Sequence, residues 1–325
     1  MVINLLNNKD ALEKLLDYLN DNRFGYTMLD EFLVKTDDLY YRNIVNNFPS
    51  LIYKDEMERK LSLVNNENKK ISINGKSLID NDFFVIAGPC SIEDEESLNN
   101  IAKNVKECGA KFLRGGAYKP RTSPYSFQGI GEEGLIMLNR VARKNGLLCV
   151  SEIVKISDIP LFEKYVDVIQ VGARNMQNFE LLKALGKCSK PILLKRGFGN
   201  TIEEFLLAAE YIAVGGNQNI ILCERGIRTF DDTTRNTLDL SKVALLKRLT
   251  YLPVIVDPSH AIGNKELIMD LLPSVVVSKT DGMMLEVHHN PRQSISDGDE
   301  TLSLEEFQNK MEEIKPLIDL IKKVR

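Results

Sequence analysis

The chain has no excess of positive charge, no apolar run of membrane length and only three histidines. The first two shortages each remove a class of function. With 42 Lys+Arg against 46 Asp+Glu, the net charge is −4 over 325 residues. A general nucleic-acid or membrane-surface role is therefore not expected. No stretch approaches the roughly 20 apolar residues of a membrane span. The opening MVINLLNNKD lacks a basic segment followed by an apolar one, so no secretion signal is read there. The five cysteines, Cys90, Cys108, Cys149, Cys188 and Cys223, are odd in number and form no CxxC pair. Reduced thiols and a cytoplasmic location are the expectation. The absence of GxGxxG after the first strand of the main domain disfavours an open doubly wound sheet. Repeats of solenoid period and low-complexity segments are also missing.

What remains is an ordinary globular composition, 43% hydrophobic and 27% charged. The length accommodates one barrel of about 250 residues and a small appendage. Residues 1–65 read as that appendage. Met1–Leu6 is a short strand, and Leu12, Leu15, Leu16 and Leu19 form one apolar helix face. Tyr26–Val34 and Ser50–Tyr53 are strand-like and Leu39–Phe48 helical. That alternation suits a small α+β domain of ferredoxin-like type. Residues 66–82 read as a linker and a hairpin turning at Asn74-Gly75, expected to cap one end of the larger domain.

From residue 83 to 325 the texture changes. Eight apolar runs alternate with amphipathic helices: Phe83–Gly88, Lys111–Gly115, Leu147–Ile153, Val166–Ala173, Pro191–Gly197, Asn219–Gly226, Leu252–Pro258 and Met283–His288. Continuous Val/Ile/Leu strands mean a parallel sheet covered by helices, and eight such units predict a closed (β/α)8 TIM barrel. Thr201 with Glu204, and Ser303 with Glu306, are capping boxes that open helices. Pro316 is expected to kink or divide the last helix.

In such a barrel the chemistry sits at the carboxyl ends of the strands. These ends carry, in order, Cys90, Arg114, Glu152, Arg174, Lys195, Arg225, His260 and Glu286. Strands seven, eight and one are contiguous around the closed barrel. They supply His260, Glu286 and Cys90, and Asp297 in the loop after strand eight can join them. That mixed N/O/S set reads as a site for one divalent metal, with Mn, Fe, Co, Zn and Cu all admissible. His288 and His289 read as supporting or loop residues. The other arc is cationic, and KFLRGGAYKPRTSPYSFQG (111–129) adds Lys119 and Arg121 on a backbone stiffened by prolines. Four to six positive charges around one cavity imply anionic substrates bearing phosphate or carboxylate. Glu152 among them orients the cations or positions a water, and reads equally well as a structural ion-pair partner.

Taken together, these segments resemble a known family. IAGPCS, LRGGAYKPRTSPYSFQG, QVGARNMQN, LLKRGF, ILCERGIRTF, VDPSHAIG and LEVH, in this order, are similar to 3-deoxy-D-arabino-heptulosonate 7-phosphate synthases of the type I beta subgroup. The resemblance implies a metal-dependent condensation of phosphoenolpyruvate with erythrose 4-phosphate, releasing phosphate, at the head of the shikimate pathway. It implies Cys90, His260, Glu286 and Asp297 as metal ligands. Arg114, Lys119, Arg174, Lys195 and Arg225 fall on phosphoenolpyruvate-binding positions, and Arg121 and Thr122 on the tetrose-phosphate side. Lys119, Glu152 and His260 are the catalytic candidates. A tetramer and an aromatic amino acid effector at the N-terminal domain are further expectations from the family. Two other readings are weighed. One is the sister synthase of 3-deoxy-D-manno-octulosonate 8-phosphate, which usually carries Ala-Asn where this chain has Pro120-Arg121. The other is a non-catalytic sugar-phosphate sensor on the same barrel. Asn264-Lys265 and the SKTDG string ahead of strand eight depart from the family pattern without touching a candidate ligand.

Overall fold

The computed structural model describes the chain except for residues 1, 6–7, 41–42, 45–46, 49–52, 56–70, 74–75, 78–82, 122 and 325. It divides into two compact units, Met1–Lys69 with Leu245–Tyr251, and Lys70–Ala244 with Leu252–Arg325.

In the first unit, strands β1 (Val2–Asn4), β2 (Tyr26–Asp30), β3 (Leu33–Thr36) and β4 (Tyr53–Asp55) form an antiparallel sheet in the order β2-β3-β1-β4. That is the ferredoxin-like order. The helix Lys9–Asp21 starts because the Asn8 side chain accepts from the Ala11 amide. It buries Ala11, Leu15 and Leu19 against Ile3, Leu5, Val34 and Ile44. The expected single stretch Tyr26–Val34 is two strands: polar Asp30-Glu31 starts a turn, and the chain reverses through Glu31 and Phe32. Of the expected helix Leu39–Phe48, Asp38–Tyr40 is a 3-10 turn and Asn43, Ile44 and Asn47 are helical. The Phe48 amide donates to the Ile44 carbonyl at 2.9 Å, while residues 41–42 and 45–46 lie outside the described residues, as do 50–52 and 65–70.

In the second unit, β5 (Ser72–Ile73) and β6 (Lys76–Ser77) pair antiparallel, although their turn at 74–75 lies outside the described residues. Eight parallel strands come next: β7 (Phe84–Gly88), β8 (Phe112–Arg114), β9 (Leu148–Glu152), β10 (Val168–Val171), β11 (Ile192–Lys195), β12 (Ile220–Glu224), β13 (Val254–Val256) and β14 (Gly282–His288). Each pairs with the next, and β14 pairs with both β13 and β7, closing the barrel. A short β15 (Leu302–Ser303) lies beside the end of β14. Both capping boxes are formed, at Thr201–Glu204 and Ser303–Glu306. The last helix runs from Leu304 to Val324 through Pro316 without division. The carbonyl that Pro316 leaves without a helical donor belongs to Glu312, an exposed residue.

Side chains two apart on a strand share a face, and that period builds the site. Phe84, Ile86, Phe112, Val150, Val168, Leu193, Ile221, Ile255 and Met284 form one apolar cluster inside the barrel, with Ile71 and Ile73 of the hairpin segment packed onto it. One step of two further along the same strands come Arg114, Glu152, Gln170, Lys195, Asp257 and Glu286. An apolar floor thus lies under a charged layer.

Candidate active site

Four elements bring the sulfur, nitrogen and oxygen donors together. The donor atoms of Cys90, His260 and Glu286 lie within 4.8 Å of one another. Asp297 joins them, its Oδ2 accepting from Cys90 Sγ at 2.7 Å. Asp297 sits in left-handed backbone, φ 56°, unusual for a residue with a side chain. The loop after β7 is tied to the loop carrying Asp297 by Ser91–Ser296 at 2.8 Å and by Ile295 N donating to Glu93 Oε1 at 2.9 Å. His260 stands in the short helix Pro258–Ile262, capped by Asp257. The same carboxylate takes the His260 Nδ1 contact at 2.7 Å and the Lys195 ammonium at 2.5 Å.

Charge states follow from burial and neighbours. Burial tends to raise Asp257, but His260 and Lys195 hold it well below the usual carboxylate range. Burial lowers His260, which favours the neutral ring. An ionised Asp257 accepts from Nδ1–H, so Nε2 carries the lone pair. That lone pair faces Glu286 Oε1 at 3.2 Å. Glu286 lies below its ordinary value: burial raises it, and the charges of Arg114 and Lys119, joined by His260 whenever that ring is protonated, outweigh burial. Glu286 Oε2 is fully buried and has no hydrogen-bond partner among the described residues. Asp297 is driven down to about 2, the Cys90 hydrogen bond and the charges of Lys119 and Arg235, joined by His260 whenever that ring is protonated, overcoming burial. Facing lone pairs and an orphaned buried carboxylate oxygen fit a cation between them. Burial, reinforced by Glu286, pushes the Cys90 thiol up to about 12; a bound metal deprotonates such a ligand. The donor set therefore fits a divalent transition metal.

Two cations of the other arc reach across to this cage. Arg114 pairs with Glu286, and Lys119 Nζ lies 2.8 Å from Cys90 Sγ and 3.0 Å from its carbonyl. The remaining ones line a cavity of about 460 Å³ that His260 and Asp297 also line, together with Arg121, Glu152, Arg174, Lys195, Arg225, Arg228 and Arg235. Glu152 accepts from Gln170 Nε2 at 3.0 Å and packs so tightly on Gly172 that a Cβ there would lie 2.1 Å from its oxygen. Such an array can draw in polyanions and hold them beside the donor cage.

The DAHP synthetase I family matches the chain over residues 64–320. Phospho-2-dehydro-3-deoxyheptonate aldolase of Thermotoga maritima is 52% identical over 239 residues, spanning 74% of this chain and 71% of that protein. The chain belongs to the DAHP synthetase I family. The crystal structure of the DAHP synthase from Thermotoga maritima superposes with a TM-score of 0.79 at 40% identity, covering 99% of this chain and 97% of that one. A 2-dehydro-3-deoxyphosphooctonate aldolase of Syntrophobacter fumaroxidans is 28% identical over 269 residues, spanning 77% of this chain and 91% of that protein.

Within this DAHP synthetase barrel, every candidate site residue named from the sequence lies in the cage or around the cavity, save Thr122, which lies outside the described residues. His288 is buried at the end of β14 and His289 meets Ser97 Oγ at 2.6 Å. Several neighbours escaped the sequence reading. Asp257 was legible only as the residue before Pro258, although it lies one inward step beyond Ile255. Glu300, paired with Arg235, forms a second group of carboxylates with Glu286 and Asp297. Burial and Glu286 raise Glu300 to about 8. No helix among the described residues is long and apolar enough to cross a membrane.

Proposed function

We propose that this chain condenses phosphoenolpyruvate with D-erythrose 4-phosphate and water to give 3-deoxy-D-arabino-heptulosonate 7-phosphate and inorganic phosphate, the entry to chorismate and the aromatic amino acids. The observation that carries the reading is a cation cage with an orphaned carboxylate oxygen, Glu286 Oε2, opening beside a cavity ringed by guanidinium and ammonium groups. Family membership supports the same reaction.

In this reading Cys90, His260, Glu286 and Asp297 hold one divalent ion. When bound, the ion supplies a Lewis acid able to polarise an aldehyde oxygen or a water. Arg114, Arg174, Lys195 and Arg225 neutralise phosphoenolpyruvate and fix it for attack. Arg121, with Thr122, takes the phosphate of the tetrose. Carbon 3 of phosphoenolpyruvate bonds to the aldehyde carbon, water adds oxygen at carbon 2, and phosphate leaves by cleavage of its C–O bond. Lys119, held beside Cys90, donates to the alkoxide that develops on the former aldehyde. Glu152 keeps a carboxylate near the cations, where it orients them or a water. The proposal includes cytoplasmic residence, a homotetramer, and residues 1–65 as a regulatory domain for an aromatic amino acid.

Pro120-Arg121 favours the tetrose over arabinose 5-phosphate. Turnover with both aldose phosphates, before and after chelation and with metals returned singly, tests the reaction. Heptulosonate formation from erythrose 4-phosphate is expected. Preference for arabinose 5-phosphate would reassign the chain to the octulosonate reaction, and binding without turnover would leave a sensor. Assays with each aromatic amino acid test the regulatory assignment.

A further inference from the structure

Lys119 aside, which meets Cys90, the cations of the cavity fall into two sets. Arg121, Lys195 and Arg235 meet carboxylates, those of Asp297, Asp257 and Glu300. Arg174, Arg225 and Arg228 are not ion-paired among the described residues; each lies against the ring of Phe198 instead. Their guanidinium carbons stand 5.4, 4.7 and 4.9 Å from its centroid. The Phe198 carbonyl also accepts from the Arg228 amide at 2.7 Å, joining the loop after β11 to the loop after β12. Arg225 is anchored by the His260 carbonyl at 2.5 Å.

An aromatic face attracts a cation through its quadrupole and presents no strong acceptor to it. A carboxylate in the same place would occupy the N–H donors that a phosphate needs. One ring can therefore offset the mutual repulsion of three guanidinium groups without occupying their N–H donors, although Arg225 also donates to the Gly226 and His260 carbonyls. We propose that Phe198 is a positioning residue, holding Arg174, Arg225 and Arg228 as a donor array for the anionic oxygens of phosphoenolpyruvate. This adds Arg228 to the binding residues, and it rests on the reading of the cavity given under Proposed function.

The test replaces Phe198 by leucine, by tyrosine and by pentafluorophenylalanine, which keeps the ring's outline and reverses its quadrupole. Calorimetric binding of phosphoenolpyruvate, and of inorganic phosphate, should weaken about tenfold for Phe198→Leu and for the fluorinated ring, and stay within about twofold for Phe198→Tyr. In turnover, KM for phosphoenolpyruvate should rise while kcat and KM for erythrose 4-phosphate hold. Phosphoenolpyruvate binding by the fluorinated protein equal to wild type overturns the proposal, and so does a tyrosine variant as weak as the leucine one. If Phe198→Leu does not fold, the fluorinated ring, planar and only slightly larger, still decides. Wild-type protein that binds phosphoenolpyruvate but forms no heptulosonate sinks the proposed reaction and leaves this inference standing.

Discussion

At the floor of the barrel, Phe84, Phe112, Val168, Leu193 and their neighbours form a buried apolar cluster with Ile71 and Ile73. Two residues along the same strands, Arg114, Lys195, Asp257 and Glu286 meet as buried charges, none more than 5% exposed. The floor gains free energy from every apolar atom removed from water. The charged layer costs desolvation, and its pairs return little beyond that cost. Arg114–Glu286, Lys195–Asp257 and Arg196–Glu224 are therefore poor explanations of why the barrel folds. They are better read as the setting of a site. The floor carries stability and the layer above it carries chemistry, and the two should come apart under mutation.

The largest separation is expected at the cage. Cys90→Ala should lower turnover by on the order of a thousandfold, the scale of losing a group that acts at the reacting atoms. Its melting temperature should stay within a few degrees of wild type, since a small thiol is all that is removed. Chelation of the wild type should give the same kinetic loss, reversed by added metal. Near-normal turnover by Cys90→Ala in metal-free buffer would erase the distinction between the two layers.

The opposite signature belongs to the floor. Phe84→Ala leaves a cavity beside Phe112, whose ring centroid is 5.8 Å away, and should cost about 3–5 kcal/mol of stability. Denaturant unfolding reads that loss, while KM for phosphoenolpyruvate and kcat per folded molecule should stay within about twofold, a surface substitution's scale.

These same two layers were unequally legible in the sequence. Strands buried on both faces read as unbroken apolar runs, so all eight barrel strands were found, and their ends located Cys90, Arg114, His260 and Glu286. Asp257 was missed because one residue does two jobs. As the cap of the helix Pro258–Ile262 it accepts from the His260 amide at 3.1 Å, and its other oxygen bridges His260 and Lys195. Only the first job leaves a local signal. Glu300 and Arg235 are 65 residues apart, in loops already rich in charge, and nothing local pairs them. Phe198 comes after a strand and resembles any core aromatic until its three arginines are placed around it. In the smaller unit, apolar residues on either side of Asp30-Glu31 disguised a turn as one strand.

Asp257→Asn probes the boundary between the layers at an intermediate scale. The amide keeps the shape but no longer fixes the His260 tautomer by charge. Metal affinity should fall 10- to 100-fold, as is usual for the partner of a ligating histidine, read by competition with a chelator. Stability should fall as well, because the Lys195 ammonium loses its carboxylate in a buried setting. Unchanged metal affinity would reduce Asp257 to a helix cap.

The smallest effect tests whether the layers are as separate as their side chains suggest. Ile73, 5% exposed, belongs to the hairpin segment and packs with the floor cluster rather than with the charged layer. Ile73→Val removes one methylene and should cost about 1 kcal/mol. A close-packed interior transmits strain when volume is added, but it tolerates a small deletion by leaving a gap. The kinetics should therefore be indistinguishable from wild type, with the denaturation midpoint alone displaced. A change in KM for either substrate would mean that the hairpin segment tunes the charged layer through the floor. In that event stability and chemistry would have to be explained together.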